Sequence, residues 1–308
     1  MTTYSIDLGG TAIKMAAVED GRIVREAQLA MRLRETTASR MAAVAAVLGG
    51  WRQQGIAADA AGIAFAGLTD PVACRVLSTN GKYEDAAEFD FPAWAHEQGL
   101  GLAMDNDANA ALQGEVYFGA ARGSGDAAML ILGTGIGTAA MMGWAMVRGK
   151  HFQAGCLGGH FALRQRGRLC TCGCRDCAEA YASGWALPGL AHERPGYSAS
   201  PLAAEAAVDF RALTHWARQG DPVAVALLDD CMDVWATVVR NLIHAYDPEV
   251  VVLSGGVMRS ADLILEPIRR RALGDVWTPW GTVDIRVAAQ PEHSVLLGMH
   301  HMATRWKG

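Results

Sequence analysis

Short apolar runs alternate along the chain with segments in which apolar residues recur every three or four positions. The runs predict buried strands, and the spaced segments predict helices. The predicted strands cover residues 4–8, 13–18, 23–29, 61–66, 102–104, 129–132, 138–146, 250–253 and 283–288. The predicted helices cover residues 36–54, 108–118, 221–246 and 294–304, and one further helix follows residue 256. Since strands and helices alternate while both halves open with hairpins, the pattern predicts an α/β protein with mixed sheets.

Two parts of the pattern resemble each other, which indicates two related domains. Ile6–Thr11 and Leu130–Gly135 are each an apolar strand that ends in a turn of glycine and threonine. With 308 residues, the chain is long enough for two domains that each bury a core. No linker rich in proline or serine separates them, so we expect the domains to pack closely around a cleft.

The longest uncharged segment, Ala127–Val147, has 21 residues and is long enough to cross a membrane. However, it contains four glycines, with threonines between them. Two buried strands joined by a glycine turn account for this composition better than a membrane-spanning helix does. We therefore expect no membrane association.

The composition is that of a packed globular protein, with 51% hydrophobic and 19% charged residues. The net charge of −5 argues against a protein that coats nucleic acid, which is normally basic. The first residues, Met1–Asp7, lack the basic and apolar stretches of a signal peptide, so a reducing cytoplasmic compartment is expected. In that compartment clustered cysteines indicate metal ligands before disulfides, and four of the seven cysteines fall between residues 170 and 177.

The turn after the first strand has the composition of an anion-binding turn. Gly9 and Gly10 allow the backbone to present its N–H groups to a phosphate. Thr11 adds a hydroxyl donor, and Lys14 adds a positive charge. Asp7, at the end of the apolar strand, is placed to orient a hydrated Mg²⁺ ion. A plain β-hairpin turn is the alternative interpretation of this motif alone.

A second glycine turn, Gly133-Thr134-Gly135-Ile-Gly137, follows the strand at 129–132. Two such turns, one in each half, are typical of a site that holds a nucleoside triphosphate between two domains. Neither turn is a P-loop, and Gly149-Lys150 lacks the upstream glycine spacing of one. The second turn also does not complete a dinucleotide-binding fingerprint, because a predicted strand follows it instead of a helix.

Five motifs stand in order along nearly the whole chain. They are Asp7-x-Gly-Gly-Thr-x-x-Lys14, Asn106-Asp-Ala-Asn109-Ala-Ala, Leu132-Gly-Thr-Gly-Ile-Gly137, Cys170-Thr-Cys-Gly-Cys-Arg-Asp-Cys177-Ala-Glu179 and Asp247-Pro-Glu-Val-Val-Val-Leu-Ser-Gly-Gly256. In this order they resemble the ROK family, which comprises sugar kinases, open reading frames and repressors within the actin-like ATPase superfamily. The resemblance implies a fold of two actin-like, ribonuclease H-like domains with mixed sheets around a cleft.

The resemblance also implies an activity and a set of site residues. The activity is ATP-dependent phosphorylation of a hexose-type sugar, usually at the 6-hydroxyl. The nucleotide-binding residues that it implies are Gly9, Gly10, Thr11, Gly133, Thr134 and Gly135 for the phosphates and Gly255 and Gly256 for the adenosine. The sugar-facing residues that it implies are Asn80, Asn106, Asp107, His160 and Glu179.

The chemistry of sugar phosphorylation fits Asp107, which the resemblance places at the sugar, as the general base. A sugar hydroxyl is a weak nucleophile, and a positioned carboxylate can take its proton as it attacks the γ-phosphate. Asp107 stands at a predicted helix start, where the helix dipole favours its ionised form. The alternative is that Asp107 only caps the helix.

Cys170, Cys172 and Cys177 have the spacing Cys-x-Cys-x₄-Cys, which supplies three thiolates to a metal. His160, ten residues before Cys170, would complete the tetrahedral coordination of a Zn²⁺ ion. In the family that the chain resembles, the matching residues bind a structural zinc, and the histidine also faces the sugar. A histidine fixed by zinc orders one wall of a pocket. Cys174 is an additional thiol in the same loop and could compete as a ligand.

One position departs from the family pattern. The family usually has a glutamate three residues before the histidine, where it contacts sugar hydroxyls, whereas this chain has Leu157. The identity of the sugar is therefore open, and plain glucose is expected to be a poor substrate. Arg164, Arg166 and Arg168 follow in alternation. They are interpreted as the solvated face of a strand or loop, with contact to an anionic substrate as the alternative.

The prediction is therefore a cytoplasmic sugar kinase that uses ATP, Mg²⁺ and structural Zn²⁺ and forms a homodimer. Residues 1–105 and 289–308 are expected to form the smaller domain, and residues 106–288 the larger domain with the zinc segment. A sugar-responsive repressor is disfavoured, because such proteins carry a helix-turn-helix module before the first motif and only six residues precede Asp7. A non-catalytic sugar sensor is the second alternative, and Asp107 and both glycine turns count against it.

Overall fold

The structure, a computed structural model, describes residues 1–30, 35–79 and 83–306. The chain divides into two compact units, and both are discontinuous in sequence. The first unit comprises Met1–Gly123, Arg148–Ala154 and Ala289–Gly308, and the second comprises Ser124–Val147 and Gly155–Ala288.

The first unit contains a five-stranded mixed sheet and the helices that cover it. Its elements up to residue 118 are β1 (Thr2–Leu8), β2 (Ala12–Glu19), β3 (Arg22–Ala30), α1 (Thr37–Gln53), β4 (Ala60–Phe65), β5 (Leu68–Asp70), β6 (Arg75–Ser78), α2 (Phe91–Glu97), β7 (Gly101–Asn106) and α3 (Asp107–Phe118).

The second unit contains another five-stranded sheet and more helices. Its strands and α-helices are β8 (Ala127–Leu132), β9 (Ile136–Met142), β10 (Ala145–Met146), α4 (Glu179–Ala182), α5 (Leu187–His192), α6 (Phe210–Arg218), α7 (Pro222–Tyr246), β11 (Val250–Ser254), α8 (Ala261–Gly274) and β12 (Asp284–Val287). Four short 3₁₀ helices cover Gly158–His160, Tyr197–Ala199, Pro201–Ala204 and Gly256–Ser260. The chain then returns to the first unit and ends with α9 (Ser294–Thr304).

The two sheets share one strand arrangement. The first has the order β3-β2-β1-β4-β7, and the second has the order β10-β9-β8-β11-β12. In each sheet three sequential strands pair antiparallel. The first of them pairs parallel with one later strand, β4 or β11, which in turn pairs parallel with the last strand, β7 or β12. The two glycine turns therefore occupy equivalent places, after β1 and after β8. The alternation of apolar runs and helices thus agrees with an α/β architecture of mixed sheets.

Local sequence signals set the ends of the longest helix, α7. The Asp221 side chain accepts a hydrogen bond from Ala224 N at 2.8 Å, and Pro222 occupies the first turn, where its missing N–H is not needed. The helix ends where Asp247 adopts a left-handed conformation with φ of 45°. Between these ends Trp235 is fully buried in the core of the second unit.

Helices α3 and α9 approach closely because glycines stand at their contact. A Cβ atom at Gly114 would lie 1.9 Å from Ser294 O, and one at Gly298 would lie 1.8 Å from Ala110 O. A larger residue at either position would force the helices apart. This packing places α3 in the first unit. The first unit therefore extends to residue 123, beyond the boundary at residue 105 expected from the sequence.

Among the described residues, no helix combines the length and the apolar character that a membrane crossing requires. The uncharged segment at 127–147 instead forms β8, β9 and β10. Its glycines lie in the turns between these strands and within β9.

Candidate active site

Charged side chains form a row across the first sheet. In the strand register Lys14 on β2 pairs with Asp7 on β1. Asp7 also lies beside Ala64 on β4, and Ala64 lies beside Asp105 on β7. Direct cross-strand neighbours point to the same face of a sheet. Asp7 and Asp105 therefore project from one face, about 10 Å apart, with a small alanine between them.

The first glycine turn connects β1 to β2 next to this row. The Gly9 carbonyl accepts a hydrogen bond from the Tyr83 hydroxyl at 3.1 Å. A Cβ atom at Gly9 would lie 3.0 Å from Ala12 O, so a side chain there would crowd the turn. Thr11 is exposed and Gly10 is half-buried. The turn is thus held from inside by Tyr83, which the sequence did not single out, and is accessible from outside.

The turn from β7 into α3 holds Asn106 and Asp107 together. Asn106 is the N-cap, since its side-chain oxygen accepts hydrogen bonds from Ala108 N at 2.9 Å and Asn109 N at 3.2 Å. Its amide group donates to Gly67 O at 3.0 Å and to Asp107 Oδ1 at 2.9 Å. Asp107 is therefore the first helical residue, and the capping role considered for it belongs to Asn106. The Asn106 amide orients the Asp107 carboxylate.

Desolvation raises the pKa of two carboxyl groups in this region towards neutral values. It raises the pKa of Asp107 to about 6, and repulsion from Asp105 adds a smaller increase. It also raises the pKa of Asp7 to about 7, where repulsion from Asp107 adds to the rise and Lys14 opposes it. Both side chains remain partly exposed. Accessible carboxyl groups with such pKa values are typical of sites that bind cations or transfer protons.

In the second unit, the second glycine turn is fixed through its carbonyl groups. Gly184 N donates to Gly133 O at 2.9 Å, and Trp185 N donates to Thr134 O at 3.0 Å. A Cβ atom at Gly133 would meet no other atom within 4 Å, and Thr134 is exposed. The outer side of this turn is therefore open.

Glu179, at the start of α4, contacts the same turn. Its Oε2 accepts a hydrogen bond from Ile136 N at 2.8 Å, and its Oε1 accepts one from Trp185 Nε1 at 3.0 Å. A Cβ atom at Gly135 would lie 2.5 Å from Glu179 Oε2, so a glycine is needed there. The predicted sugar contact thus also supports the predicted phosphate-binding turn.

Gly255 and Gly256 lie at the end of β11, next to β8. Gly255 has a φ of 94°, and a Cβ atom there would lie 2.3 Å from Leu132 O. Only glycine tolerates both this conformation and this approach. The second unit therefore brings together the turn at 133–137, Glu179 and Gly255, while Gly256 is exposed.

The four predicted zinc ligands also come together in the second unit. The ligand atoms of His160, Cys170, Cys172 and Cys177 all lie within 4.8 Å of one another. His160 Nδ1 is 3.8 Å from Cys170 Sγ, and Cys172 Sγ is 3.6 Å from Cys177 Sγ. One imidazole and three thiols could hold a metal ion, and this donor set suits zinc. Cys174 is exposed and does not belong to the group of four.

Asp176, which the sequence did not single out, fixes the loop that carries the cysteines. Its carboxylate accepts hydrogen bonds from Gly167 N at 2.7 and 2.8 Å and from the Tyr181 hydroxyl at 2.8 Å. A Cβ atom at Gly167 would lie 2.1 Å from Asp176 Oδ1, so this contact depends on glycine. The only local signal for it is an aspartate next to a ligand cysteine.

Leu157 precedes the 3₁₀ helix that ends at His160, and its carbonyl accepts a hydrogen bond from His160 N at 2.9 Å. Its side chain is 37% exposed, whereas that of the preceding Cys156 is buried. An apolar side chain thus faces solvent one turn from the histidine. Asn80, the remaining predicted sugar contact, lies outside the described residues.

The three alternating arginines lie on the surface of the second unit. The Arg164 guanidinium lies 5.4 Å from the centre of the Tyr181 ring. Arg168 forms an ion pair with Glu193, and Arg166 is exposed. These surroundings fit the interpretation of a solvated loop.

Residues 3–305 match the family model described as "ROK family". The chain belongs to the ROK family. A glucokinase from Thermotoga maritima is 30% identical to it over 312 residues, which cover 95% of this chain and 94% of that protein.

Two solved structures extend the likeness to the fold. A ROK family glucokinase from Streptomyces griseus, in complex with glucose and AMPPNP, is 30% identical with a TM-score of 0.82. The likeness covers 99% of this chain and 100% of that one. A ROK hexokinase from Thermus thermophilus is 29% identical with a TM-score of 0.81, over 99% and 98% of the two chains. The predicted family and the predicted actin-like α/β fold are confirmed, and the names of these relatives agree with the predicted enzyme class.

The ionisation of Asp107 should cost stability at neutral and alkaline pH. Its pKa is about 6 in the folded protein against 3.8 for an ordinary aspartate, so its ionisation opposes folding above pH 6 and has no effect below 3.8. We expect Asp107→Asn to raise the thermal unfolding midpoint at pH 8 by a few degrees, equivalent to about 1–2 kcal/mol. The gain should disappear towards pH 4. Asp90→Asn, which changes an exposed helix cap, is the control and should show no such gain. Equal gains at both pH values would contradict this prediction.

Proposed function

We propose that this ROK family chain is a kinase that transfers the γ-phosphate of ATP to the 6-hydroxyl of a hexose-type sugar. The observation that carries the proposal is the Asp107 carboxylate, which is partly exposed, oriented by Asn106 and has a pKa of about 6. Such a group is mostly ionised at neutral pH and can accept a hydroxyl proton. The glucokinases among the relatives support the sugar as substrate.

The glycine positions support a nucleotide substrate. Gly9 and Gly10 in the first unit and Gly133 to Gly135 in the second are assigned to the phosphates, with the hydroxyls of Thr11 and Thr134 as further donors. Both threonines are exposed, and the space beside Gly133 is open. Gly255 and Gly256 are assigned to the adenosine. The AMPPNP in the Streptomyces griseus relative supports ATP as the phosphate donor.

Asp7 fits a role in holding hydrated Mg²⁺. Its partly exposed carboxylate supplies the oxygen atoms that this ion prefers, and a cation nearby would favour its ionised form. Mg²⁺ that accompanies the nucleotide neutralises charge on the phosphate oxygens. Lys14, the cross-strand partner of Asp7, adds a fixed positive charge on the same face of the sheet.

The transfer step uses Asp107 as the base. The oxygen of the sugar hydroxyl attacks the γ-phosphorus of ATP, and its proton moves to the Asp107 carboxylate. The bond between the γ-phosphorus and the bridging oxygen breaks, which leaves ADP and a sugar phosphate. The hydrogen bond from Asn106 keeps one carboxylate oxygen occupied, so the other oxygen is the proton acceptor.

His160 and Glu179 are assigned to the sugar together with Asn106. Zinc, bound by His160 and the three cysteines, would fix the imidazole through Nδ1, the nitrogen that faces Cys170. The other nitrogen, Nε2, would then be free to bond a sugar hydroxyl. The zinc has a structural role and takes no part in the transfer.

A non-catalytic sugar sensor is the alternative function. It requires a sugar site without a working base, and the orientation of Asp107 by Asn106 disfavours it. The homodimer and the cytoplasmic location stay predictions.

Asp107→Asn tests the kinase directly. Without a proton acceptor the turnover rate should fall at least ~100-fold, while the KM for ATP changes little. The measurement is ADP and sugar phosphate formation over a panel of glucose, mannose, N-acetylated hexosamines and deoxy sugars, with Asp90→Asn as control. Near-normal turnover in the variant would remove Asp107 from the mechanism. Sugar binding by the parent protein without ADP formation would favour the sensor.

Leu157 should determine which sugar is preferred. A leucine offers no acceptor to a sugar hydroxyl, so a sugar with less polar surface at that point should be favoured. We expect kcat/KM for glucose to be at least ~10-fold below that of the best substrate, equivalent to ~1.4 kcal/mol. Leu157→Glu should improve the use of glucose, whereas Leu169→Glu, at another exposed leucine of the segment, should not. Efficient phosphorylation of glucose by the parent protein would contradict the role of Leu157.

The metal prediction is one zinc per chain. Protein purified without added metal should contain about one equivalent, because the donor set of His160 and the three cysteines matches tetrahedral zinc. Cys177→Ser should lose the zinc and unfold at lower temperature, whereas Cys174→Ser should keep it. Metal analysis and thermal unfolding are the measurements. A zinc-free protein that is fully folded and active would rule out this site.

A further inference from the structure

Asp105 is a fully buried carboxylate that pairs with an arginine far along the chain. Its two oxygens each accept a hydrogen bond of 2.6 Å from the Arg148 guanidinium. Asn109 and Gln113 on α3 donate to it at 3.0 and 3.4 Å. The backbone N–H of Asn106 donates at 2.8 Å. The carboxylate is therefore held by a bidentate ion pair and by groups on both sides of the turn from β7 into α3.

Arg148 reaches Asp105 from a short excursion of the chain. Residues 148–154 belong to the first unit, although the residues on both sides of them belong to the second. A hydrogen bond of 3.0 Å from Ala154 N to Arg148 O closes this excursion. A buried ion pair adds little net stability, since the cost of desolvation offsets the attraction. Stability alone therefore does not account for the pair.

Hydrogen bonds connect the ion pair to the proposed base. Arg148 and Asn106 N share the same oxygen of Asp105, Oδ1. The side chain of Asn106 in turn donates to Asp107 Oδ1 at 2.9 Å. Arg148 thus fixes a residue that fixes the orientation of Asp107.

Three carboxylates lie next to one another around Asp107, with a cation at each end of the row. Asp105 on β7 repels Asp107, and Asp107 repels Asp7 on β1. Lys14 on β2 acts on Asp7 from one end of the row. Arg148 occupies the other end, where it faces Asp105. Asp7 and Asp105 thus each have a cation beside them, whereas Asp107 has none in these contacts.

We propose that Arg148 is a positioning residue for Asp107: paired with Asp105, it fixes the turn from β7 into α3 and cancels a buried negative charge beside the base. This inference rests on the proposed function, in which Asp107 takes the proton of the sugar hydroxyl. The competing explanation is that the pair only anchors residues 148–154.

Substitutions that remove one charge at a time separate these explanations. The acid limb of the pH profile of kcat/KM reports the ionisation of the proposed base, Asp107. Arg148→Met leaves the Asp105 charge uncompensated, so this limb should move to higher pH by about one unit. Asp105→Asn leaves the arginine charge uncompensated, so the acid limb should move to lower pH. The double variant Asp105→Asn/Arg148→Met lacks both charges, and its acid limb should lie close to that of the parent.

If Arg148 positions Asp107, its substitution should also lower kcat. In Arg148→Met, kcat should fall at least ~10-fold while the KM for ATP changes little, because the base and not the nucleotide site is disturbed. Arg148→Lys keeps the charge without the bidentate contact and should give an intermediate kcat with the parent's acid limb. Arg25→Met removes an exposed arginine of the same unit and is the control. If Arg148→Met does not fold, two tests remain. Asp105→Asn should still move the acid limb to lower pH, and the double variant should bring it back to that of the parent.

An unfolding measurement tests the same coupling without activity. The stabilisation from Asp107→Asn should grow in the Arg148→Met background and level off about one pH unit higher than in the parent. The inference would be overturned if the acid limbs and the pH dependence of the Asp107→Asn stabilisation stayed unchanged and only the unfolding temperatures fell. The pair would then be an anchor. If the parent phosphorylates no sugar, the proposed function fails, and the unfolding profiles alone decide whether Arg148 governs the charge on Asp107.

Discussion

The burial of three neighbouring carboxylates, in part or in full, at one end of the first sheet is the constraint on which the proposed site depends. Because β1, β4 and β7 run parallel, their carboxyl ends meet, and Asp7 and Asp105 project from one face with only Ala64 between them. Lys14 and Arg148 compensate two of the charges. Asp107, in the first turn of α3, has no cation of its own in these contacts. Its pKa rises mainly because the carboxyl group is desolvated, and repulsion from Asp105 adds a smaller increase. The strand order thus places the proposed base where burial and neighbouring carboxylates raise its pKa towards neutral.

The second unit shows that the same topology can carry different chemistry. Its strand β8 stands where β1 stands in the first unit, yet Ile131 occupies the place of Asp7, two residues before the glycine turn. The carboxylate that contacts this turn is Glu179, which begins α4 two residues after Cys177, the last of the four predicted zinc ligands. An ordered cysteine loop therefore positions Glu179 at the turn. In the first unit cations lie beside Asp7 and Asp105, whereas in the second unit the cysteine loop places Glu179.

The sequence allowed most of the fold to be predicted, because apolar runs specify strands locally and caps specify helix ends. The last helix, for example, begins at Ser294 and ends at Thr304 as the pattern predicts. The short helices α2, α4 and α5 were not predicted individually, since they have too few turns to show a period. The bounds of α6 were not predicted either, although apolar residues recur there at Phe210, Leu213 and Ala217. The contacts of Asp105 with Arg148 and of Asp176 with Gly167 were missed for another reason. They depend on the path of the chain between distant segments, which no local pattern reports.

Family membership and substrate choice rest on different residues. In the proposed function the glycine turns and Asp107 act on the phosphates of ATP and on a sugar hydroxyl. Every sugar kinase reaction involves these groups, so such residues identify the reaction class but not the sugar. Discrimination between sugars comes from groups that are left unpaired when a hydroxyl is missing or misplaced, and an apolar side chain imposes no such penalty. In the proposed site Leu157 should therefore leave one wall without an acceptor for a hydroxyl, while Asn106, His160 and Glu179 keep polar groups at others. The preferred sugar should accordingly be defined by the polar residues that remain and not by the names of the relatives.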